Sequence, residues 1–180
     1  MESMFDKPIT TAIVDYGLGN LFSVKHACEH VGLKASITSA ARGILDADLV
    51  ILPGVGAFGD AMAGLERQDL ASPLRDVAAS GKPLVGICLG LQLMMTESHE
   101  FGTHKGLGLF EGPVVRFEDP LGPAGMLKVP QVGWNRIYRP GERPDAWART
   151  PLQGLEDGEY LYFVHSYYAQ PADPAAGLTV

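Results

Sequence analysis

The chain has 180 residues, of which 46% are apolar and 19% are charged, a composition typical of a folded globular domain. Its 14 Lys and Arg against 21 Asp and Glu give a net charge of −7, the opposite of the basic surface that a nucleic-acid partner would require. Because no apolar run reaches the roughly 18 residues of a membrane-spanning helix and residues 1–10 lack the pattern of a secretion signal, we expect a cytoplasmic protein without a membrane partner.

The first half of the chain alternates predicted strands with predicted helices. An apolar run at residues 11–14 is followed by a predicted helix over 21–31, with Asn20 as its N-cap and Gly32 just after its end. Cys28 lies on the apolar stripe of this helix, which indicates a core position. Further strands are predicted at 35–38, 48–52 and 83–87, the last two as buried strands. Further helices are predicted at 73–80 and 89–98.

These strand-then-helix units predict an α/β fold of three layers, in which helices flank a mostly parallel, flavodoxin-like sheet. From Gly106 onward the pattern changes to short extended runs separated by turns, at 106–110, 112–117, 129–138 and 160–169. We therefore expect a C-terminal half that is rich in strands. Since no repeat and no linker composition is found, we expect a single domain over residues 1–180.

The segment Gly86-Ile87-Cys88-Leu89-Gly90 lies between a predicted buried strand and a predicted helix, which is the position of the nucleophile elbow in hydrolases. Glycines on both sides allow a cramped strand-to-helix turn, so the side chain between them can project into a cleft at the carboxyl ends of the strands. The helix N-terminus would favour the thiolate form of Cys88, and the backbone N–H of Leu89 would face a developing oxyanion. The alternative is an ordinary buried cysteine.

A second glycine-rich loop follows the strand predicted at 48–52. Its residues Gly54 to Gly59 have the G-x-G-x-x-G spacing of a dinucleotide-binding loop. Pro53 precedes the first glycine, the motif does not follow the first strand, and neither Ala78 nor Ala79, about 20 residues further on, is acidic, all of which argue against that function. We expect instead that backbone N–H groups of this loop face the same oxyanion as the N–H of Leu89, and a simple tight turn is the remaining alternative.

Two histidines on the first predicted helix have a spacing that can hold a metal ion. His26 and His30 are four residues apart, but no third ligand is evident and both lie outside the apolar stripe. We therefore expect a solvent-exposed helix face and no metal site.

Five segments together carry a family resemblance: DYGLGN at 15–20, LPGVGAFGDAM at 52–62, GKPLVGICLGLQLM at 81–94, QVGWNRI at 131–137 and FVHSYYA at 163–169. They resemble the class I (triad-type) glutamine amidotransferases, and within that class the glutaminase subunits of imidazole glycerol phosphate synthase, which act in histidine biosynthesis. GICLG with PGVG is typical of amidotransferases in general, whereas DYGLGN, GWN and FVHSYY narrow the subfamily. The resemblance spans nearly the whole chain and implies the class I glutamine amidotransferase fold.

The resemblance implies that Cys88 attacks the side-chain amide of glutamine, that a glutamyl thioester forms and that water then releases glutamate. Ammonia would pass through a dry interface to a cyclase subunit, with which the chain forms a heterodimer. The cyclase would use it on a phosphoribosyl aminoimidazole-carboxamide intermediate, and no cofactor is implied. The residues implied to bind glutamine or to form the oxyanion hole are Gly54, Val55, Gly56, Leu89, Gln92, Ser166 and Tyr167. The residues implied to lie at the interface with the cyclase are Tyr16 and Asn20.

One part of the family pattern is not found in the sequence. Members of the family carry the catalytic base and its orienting carboxylate in a His-Pro-Glu segment near the C-terminus, and the sequence reaches Val180 without one. His165 matches the glutamine-binding strand rather than that segment, and we expect His99 and His104 in an exposed loop. We therefore expect a C-terminally incomplete copy. The alternatives left open are a non-catalytic, cyclase-binding fragment and a sister amidotransferase subunit of another pathway.

Overall fold

The computed structural model describes residues 8–118, 121–122, 125–126, 129–141 and 143–179. The helices in this part of the chain are α1 (Leu21–His30), α2 (Ala41–Asp46), α3 (Phe58–Arg67), α4 (Ala71–Ala79) and α5 (Leu89–Leu93), with a 3-10 helix at Pro174–Ala176. The strands are β1 (Thr10–Val14), β2 (Lys34–Thr38), β3 (Leu49–Gly54), β4 (Leu84–Cys88), β5 (Met95–Ser98), β6 (His104–Lys105), β7 (Phe110–Arg116), β8 (Leu121–Gly122), β9 (Gly125–Met126), β10 (Gln131–Ile137), β11 (Glu159–His165) and β12 (Tyr167–Ala169). No helix among the described residues has the length and apolar character needed to span a bilayer.

Strands β1 to β4 form a parallel sheet in the order β2–β1–β3–β4. Successive side chains of a strand point to opposite faces, and both faces of the two central strands are covered. Ile13 and Ile51 pack with Cys28 of α1 on one face. Val14 and Leu52 pack on the other face, in a larger cluster that includes side chains of α2, α3, α4 and α5. The predicted three-layer α/β fold is confirmed, and so is the core position of Cys28.

Helix α1 begins and ends close to where the sequence predicts. The side-chain oxygen of Asn20 accepts a hydrogen bond from the backbone N–H of Ser23 at 3.3 Å, which satisfies one of the free donors at the helix start. Gly32 follows the helix with a φ of +85°, a left-handed conformation that glycine adopts without strain. Helix α4 begins earlier than predicted, at Ala71, so Pro73 lies within its first turn rather than at its first position.

The helix predicted over 89–98 is wrong in its second half, because α5 ends at Leu93 and strand β5 follows. In a longer helix the carbonyl groups of residues 93–95 would accept hydrogen bonds from the next turn. Here they accept instead from the backbone N–H groups of residues 107–109, at 2.8 to 3.1 Å. A contact between distant segments therefore ends the helix.

Strand β4 is an edge strand, not the buried strand that its apolar run predicts. Within the described residues it ends the order of the parallel sheet and pairs with β3. Val85 and Ile87 are 37% and 40% exposed, whereas Val50 and Leu52 of the central strand β3 are 0% exposed. The run is thus only partly covered, and an apolar surface borders the end of the strand.

The C-terminal half is rich in strands, as predicted. Strands β12, β7, β5 and β6 form a second, mixed sheet in that order. Strands β10 and β11 pair antiparallel, with Gln131 opposite His165, and β8 pairs antiparallel with β9. Strand β12 begins at Tyr167, whose carbonyl oxygen accepts a hydrogen bond from Gln92 of α5. This hydrogen bond joins the second sheet to the carboxyl end of the parallel sheet.

Candidate active site

Cys88 lies at the junction between strand β4 and helix α5. Its backbone has a φ of 53° and a ψ of −114°, a strained conformation for a residue with a side chain. Cys88 is paired with Gly54 in the parallel sheet, so both lie at the carboxyl ends of adjacent strands, where open α/β sheets bind ligands. The thiol is exposed, whereas that of Cys28 is buried. This combination of strain and exposure is typical of a nucleophile elbow.

Close backbone contacts require the two glycines on either side of the elbow. A Cβ on Gly86 would lie 2.5 Å from the Cα of Leu91, and a Cβ on Gly90 would lie 1.7 Å from the carbonyl oxygen of Leu52. Both distances are far shorter than a van der Waals contact between heavy atoms. The first turn of α5 therefore lies directly on the ends of β3 and β4, and a side chain does not fit at either glycine.

Cys88 borders a cleft of about 380 Å³, a volume within the range of small-molecule sites. The predicted site residues that line this cleft are Val55, Gly56, Leu89, Gln92, Ser166 and Tyr167. Gly54 lies behind them, where an added Cβ would be 3.0 Å from the Cβ of Leu89. The structure thus brings the predicted residues together around one sulfur atom, and the role of each stays a prediction.

The carbonyl oxygen of Tyr167 has two side-chain partners at the edge of this cleft. Nε2 of Gln92 donates to it at 3.0 Å, and Nδ1 of His165 lies 2.9 Å from it. Because a carbonyl oxygen only accepts hydrogen bonds, this geometry assigns a proton to Nδ1 of His165. One N–H of Gln92 is committed to the same oxygen, so the side-chain amide of Gln92 has a fixed orientation at the cleft.

Glu100 is a cleft residue that sequence reasoning missed. It lines the cleft beside Phe101, and its Oε2 accepts a hydrogen bond of 2.6 Å from the backbone N–H of Phe58, the first residue of α3. Its own backbone N–H donates to the hydroxyl of the fully buried Ser98 at 3.2 Å. Glu100 follows the strand that replaces the second half of the predicted helix. No local pattern distinguishes it from the nearby Glu97.

Protein packing explains the glycines of the second glycine-rich loop. A Cβ on Gly54 would lie 2.4 Å from the hydroxyl oxygen of Tyr16, and a Cβ on Gly59 would lie 2.8 Å from the ring of His104. Gly56 has open space around it but a φ of +108°, which disfavours any residue with a Cβ. A bound nucleotide is not needed to account for any of the three. Since the loop also borders the cleft, the oxyanion interpretation is favoured over the dinucleotide one.

Of the two residues predicted at a partner interface, one is buried and one is exposed. Tyr16 is 2% exposed, and its hydroxyl donates to the carbonyl oxygen of Pro53 at 2.8 Å. Burial raises the pKa of Tyr16 well above its usual value, and the electrostatic influence of Cys88 raises it further. The side chain of Tyr16 therefore has almost no surface to offer a partner, and its place at an interface stays a prediction. Asn20 is exposed and stays a candidate.

The histidines outside the cleft lining occupy three different settings. His26 and His30 are exposed on α1, as predicted. His99 is also exposed, in the turn after β5. His104 lies in strand β6 rather than in an exposed loop, and its ring packs half-buried against Gly59 of α3.

Residues 12–180 match the model of the family described as glutamine amidotransferase class-I. A curated relative, "Imidazole glycerol phosphate synthase subunit HisH" of Rhodopirellula baltica, is 50% identical over 91% of this chain and 74% of its own length. The protein of the same name from Wolinella succinogenes is 48% identical over 87% of this chain and 73% of its own. That of Aquifex aeolicus is 44% identical over 94% of this chain and 76% of its own.

Solved structures share the fold. A structure described as "Crystal structure of glutamine amidotransferase" has a TM-score of 0.66 at 16% identity, over 91% of this chain and 75% of that one. The "Structure of PurLQS from Thermotoga maritima" has a TM-score of 0.61 at 23% identity, over 93% of this chain and 72% of that one. The chain therefore belongs to the class I glutamine amidotransferases, and within that class to the family of imidazole glycerol phosphate synthase subunit HisH.

Proposed function

We propose that this chain is the glutaminase subunit of an imidazole glycerol phosphate synthase. It hydrolyses glutamine at Cys88 and delivers the ammonia to a cyclase subunit, its partner in a heterodimer of histidine biosynthesis. The observation that carries this proposal is the exposed, strained Cys88 at a strand-to-helix junction, bordering a cleft with a carboxylate and a carboxamide side chain. The names of the relatives support the synthase and the existence of a partner subunit.

The reaction begins with attack of the Cys88 sulfur on the side-chain carbonyl carbon of glutamine. The C–S bond forms while the carbonyl electrons move to oxygen and the thiol gives up its proton. The tetrahedral intermediate then re-forms the carbonyl and breaks the C–N bond, and the nitrogen takes up that proton and leaves as ammonia. Water attacks the thioester and releases glutamate together with the free thiol. The transient oxyanion needs fixed N–H donors, and the candidates are the backbone N–H of Leu89 and those of Val55 and Gly56.

The cleft can also hold the charged end of glutamine. Its ammonium group requires an anionic partner, and Glu100 offers a carboxylate whose position is fixed by the hydrogen bond from Phe58. Gln92 and Ser166 supply neutral hydrogen-bonding groups on the same cleft. Glutamine bound in this way has its ammonium at Glu100 and its side-chain amide at Cys88.

The loop that leads into α1 connects the proposed partner interface with the oxyanion-hole candidates. Asn20 is exposed at the end of this loop. Gly19, the residue before it, lies beside the glycine-rich loop, since an added Cβ would be in van der Waals contact with the Cα of Gly54 at 3.7 Å. A partner bound at Asn20 would therefore contact a segment that lies directly against the glycine-rich loop at Cys88.

Glutamate release from glutamine tests the proposal, measured with the cyclase subunit present and with a His-Pro-Glu segment added after Val180 in every variant, because the family's catalytic base lies in that segment. Cys88→Ser places a weaker nucleophile at the same position and should lower the rate at least about 1,000-fold. The matched control is Cys28→Ser, the same change at a buried core position, which should keep a rate close to that of the unmodified chain. Equal rates for Cys88→Ser and the unmodified chain would overturn the nucleophile assignment. Glutamate release that does not respond to the cyclase would contradict the proposed partner.

A further inference from the structure

A buried tyrosine lies behind the loop that we assign to the oxyanion hole. The hydroxyl of Tyr16 donates to the carbonyl oxygen of Pro53 at 2.8 Å. A Cβ added to Gly54 would lie only 2.4 Å from this hydroxyl oxygen and 3.0 Å from the Cβ of Leu89. Gly54 is therefore held between the Tyr16 hydroxyl and the first residue of α5.

This hydrogen bond occurs where the pairing of β3 with β1 has ended, although the pairing of β3 with β4 continues through Gly54. The paired stretch of β1 and β3 ends with Ile13 opposite Ile51, and the buried Pro53 lies two residues further along β3. A buried carbonyl group without a donor is unfavourable, and strand β1 no longer supplies one at this point. The Tyr16 hydroxyl supplies it, and so fixes the plane of the peptide group that joins Pro53 to Gly54.

The hydroxyl remains a donor throughout the physiological pH range. Burial, and to a smaller extent the electrostatic influence of Cys88, raise the pKa of Tyr16, so the phenol keeps its proton.

We propose that Tyr16 is a positioning residue for the oxyanion hole. Its hydroxyl fixes the peptide between Pro53 and Gly54, and the next backbone N–H groups of the loop are thereby aimed at the substrate oxygen. Tyr16 acts through the loop and does not touch the substrate. This inference rests on the proposed function of Cys88. Since an oxyanion exists only after attack, loss of the hydroxyl should slow the chemical step rather than weaken glutamine binding.

Two reactions of the Cys88 sulfur distinguish a positioning role of Tyr16 from a purely structural role in packing. Acylation of Cys88 by the γ-methyl ester of glutamate forms a C–S bond and expels methanol through an oxyanion. Alkylation by iodoacetamide forms a C–S bond and expels iodide without one. Tyr16→Phe should slow acylation about tenfold or more and change alkylation less than about twofold. Both rates are followed by mass spectrometry of the peptide that contains Cys88, with the partner subunit present.

The matched control is Tyr160→Phe. It removes a hydroxyl that accepts a hydrogen bond from Arg136 at 2.9 Å on the exposed strand β11, outside the cleft lining, and both rates should equal those of the unmodified chain. Tyr16→Leu, a second variant without a hydroxyl, should show the same slow acylation, so a folding defect in one variant does not decide the outcome.

The outcomes separate this inference from the function on which it rests. An unchanged ratio of acylation to alkylation in the Tyr16 variants would overturn the positioning role and leave the proposed function intact. If the unmodified chain were acylated no faster than Cys88→Ser, the proposed function would fail, and the inference with it.

Discussion

Glu100 contributes a charge to the cleft and also a hydrogen-bond acceptor to the start of α3. Glu100→Gln separates the two contributions, because the amide oxygen of Gln can still accept from the backbone N–H of Phe58 while the negative charge is lost. We expect KM for glutamine to rise about tenfold, the cost of losing one charge-assisted hydrogen bond to the substrate ammonium, with kcat changed much less. Steady-state kinetics of glutamate release measure both constants.

The control for Glu100→Gln is Glu97→Gln. Glu97 lies on the neighbouring strand β5, where its carboxylate contacts His99 at 3.0 Å near the surface, so its substitution should leave KM unchanged. An unchanged KM in Glu100→Gln, or an equal rise in both variants, would show that Glu100 does not bind the ammonium.

Cys88 and its glycines could be predicted from the sequence because the elbow is built from consecutive residues. Each glycine is needed within two positions of Cys88, so the pattern is visible in any short window of the sequence. Glu100 and Tyr16 could not be found in this way. Their hydrogen bonds reach Phe58 and Pro53, which are 42 and 37 residues away along the chain, and only the folded sheet brings these groups together.

Helix α1 carries the N-cap predicted from its sequence, which makes its stability testable. Asn20→Ala removes the acceptor for the backbone N–H of Ser23, and we expect the free energy of unfolding to fall by about 1 kcal/mol. Asn20→Asp keeps an acceptor at the same position and should retain most of the stability. Urea unfolding followed by circular dichroism measures both variants. Equal stability of Asn20→Ala and the unmodified chain would show that the cap contributes nothing.

The errors of prediction at α5 and β4 have a common physical origin. The apolar side chains at residues 89–95 are compatible with a helix or a strand. The helix ends because the backbone N–H groups of residues 107–109 donate to the carbonyl groups of residues 93–95, which a longer helix would need as its own acceptors. The apolar run of β4 likewise indicates a strand but not how much of it is covered. The buried fraction of its side chains depends on which elements pack against the strand, and the hydrophobic pattern within one segment gives no information about those elements.

The hairpin of β10 and β11 presents aromatic side chains to solvent, in contrast to the buried tryptophan of the same half. Trp134 is 67% exposed and packs edge-on against Tyr162, with ring centroids 5.6 Å apart. Trp147 is 2% exposed, lies beneath the guanidinium of Arg139 and donates its indole N–H to Leu178 at 2.7 Å. The two tryptophans of the chain should therefore differ in their access to a dissolved quencher.

Acrylamide quenching of fluorescence checks this difference. The unmodified chain should show one accessible and one protected emission component, and Trp134→Phe should leave the protected component alone. Trp147→Phe, the complementary variant, should leave the accessible one. If Trp134→Phe did not lower the quenching constant, the hairpin face would have to be covered in solution, by self-association or by another part of the molecule.

The layered α/β architecture was predictable because buried strands and capped helices alternate along the first half of the chain. The packing of the second sheet against the first could not be predicted, because no pattern within a segment indicates which strand will lie beside α5. Cys88 and Leu89 come from the parallel sheet and its helix, whereas Ser166 and Tyr167 come from the C-terminal strands. The cleft at Cys88 therefore forms only when the two halves of the chain, whose elements were predicted separately, pack together.

The hydrogen bond between Gln92 and the Tyr167 carbonyl makes that joint specific. His165 contacts the same oxygen. A rotation of β12 that moved this oxygen would therefore change the hydrogen bonds of Gln92 and His165 at the same time. Tilting one half of the molecule relative to the other would reorient a carboxamide and an imidazole together. A single acceptor atom thereby ties the positions of two cleft side chains to the way the two sheets are joined.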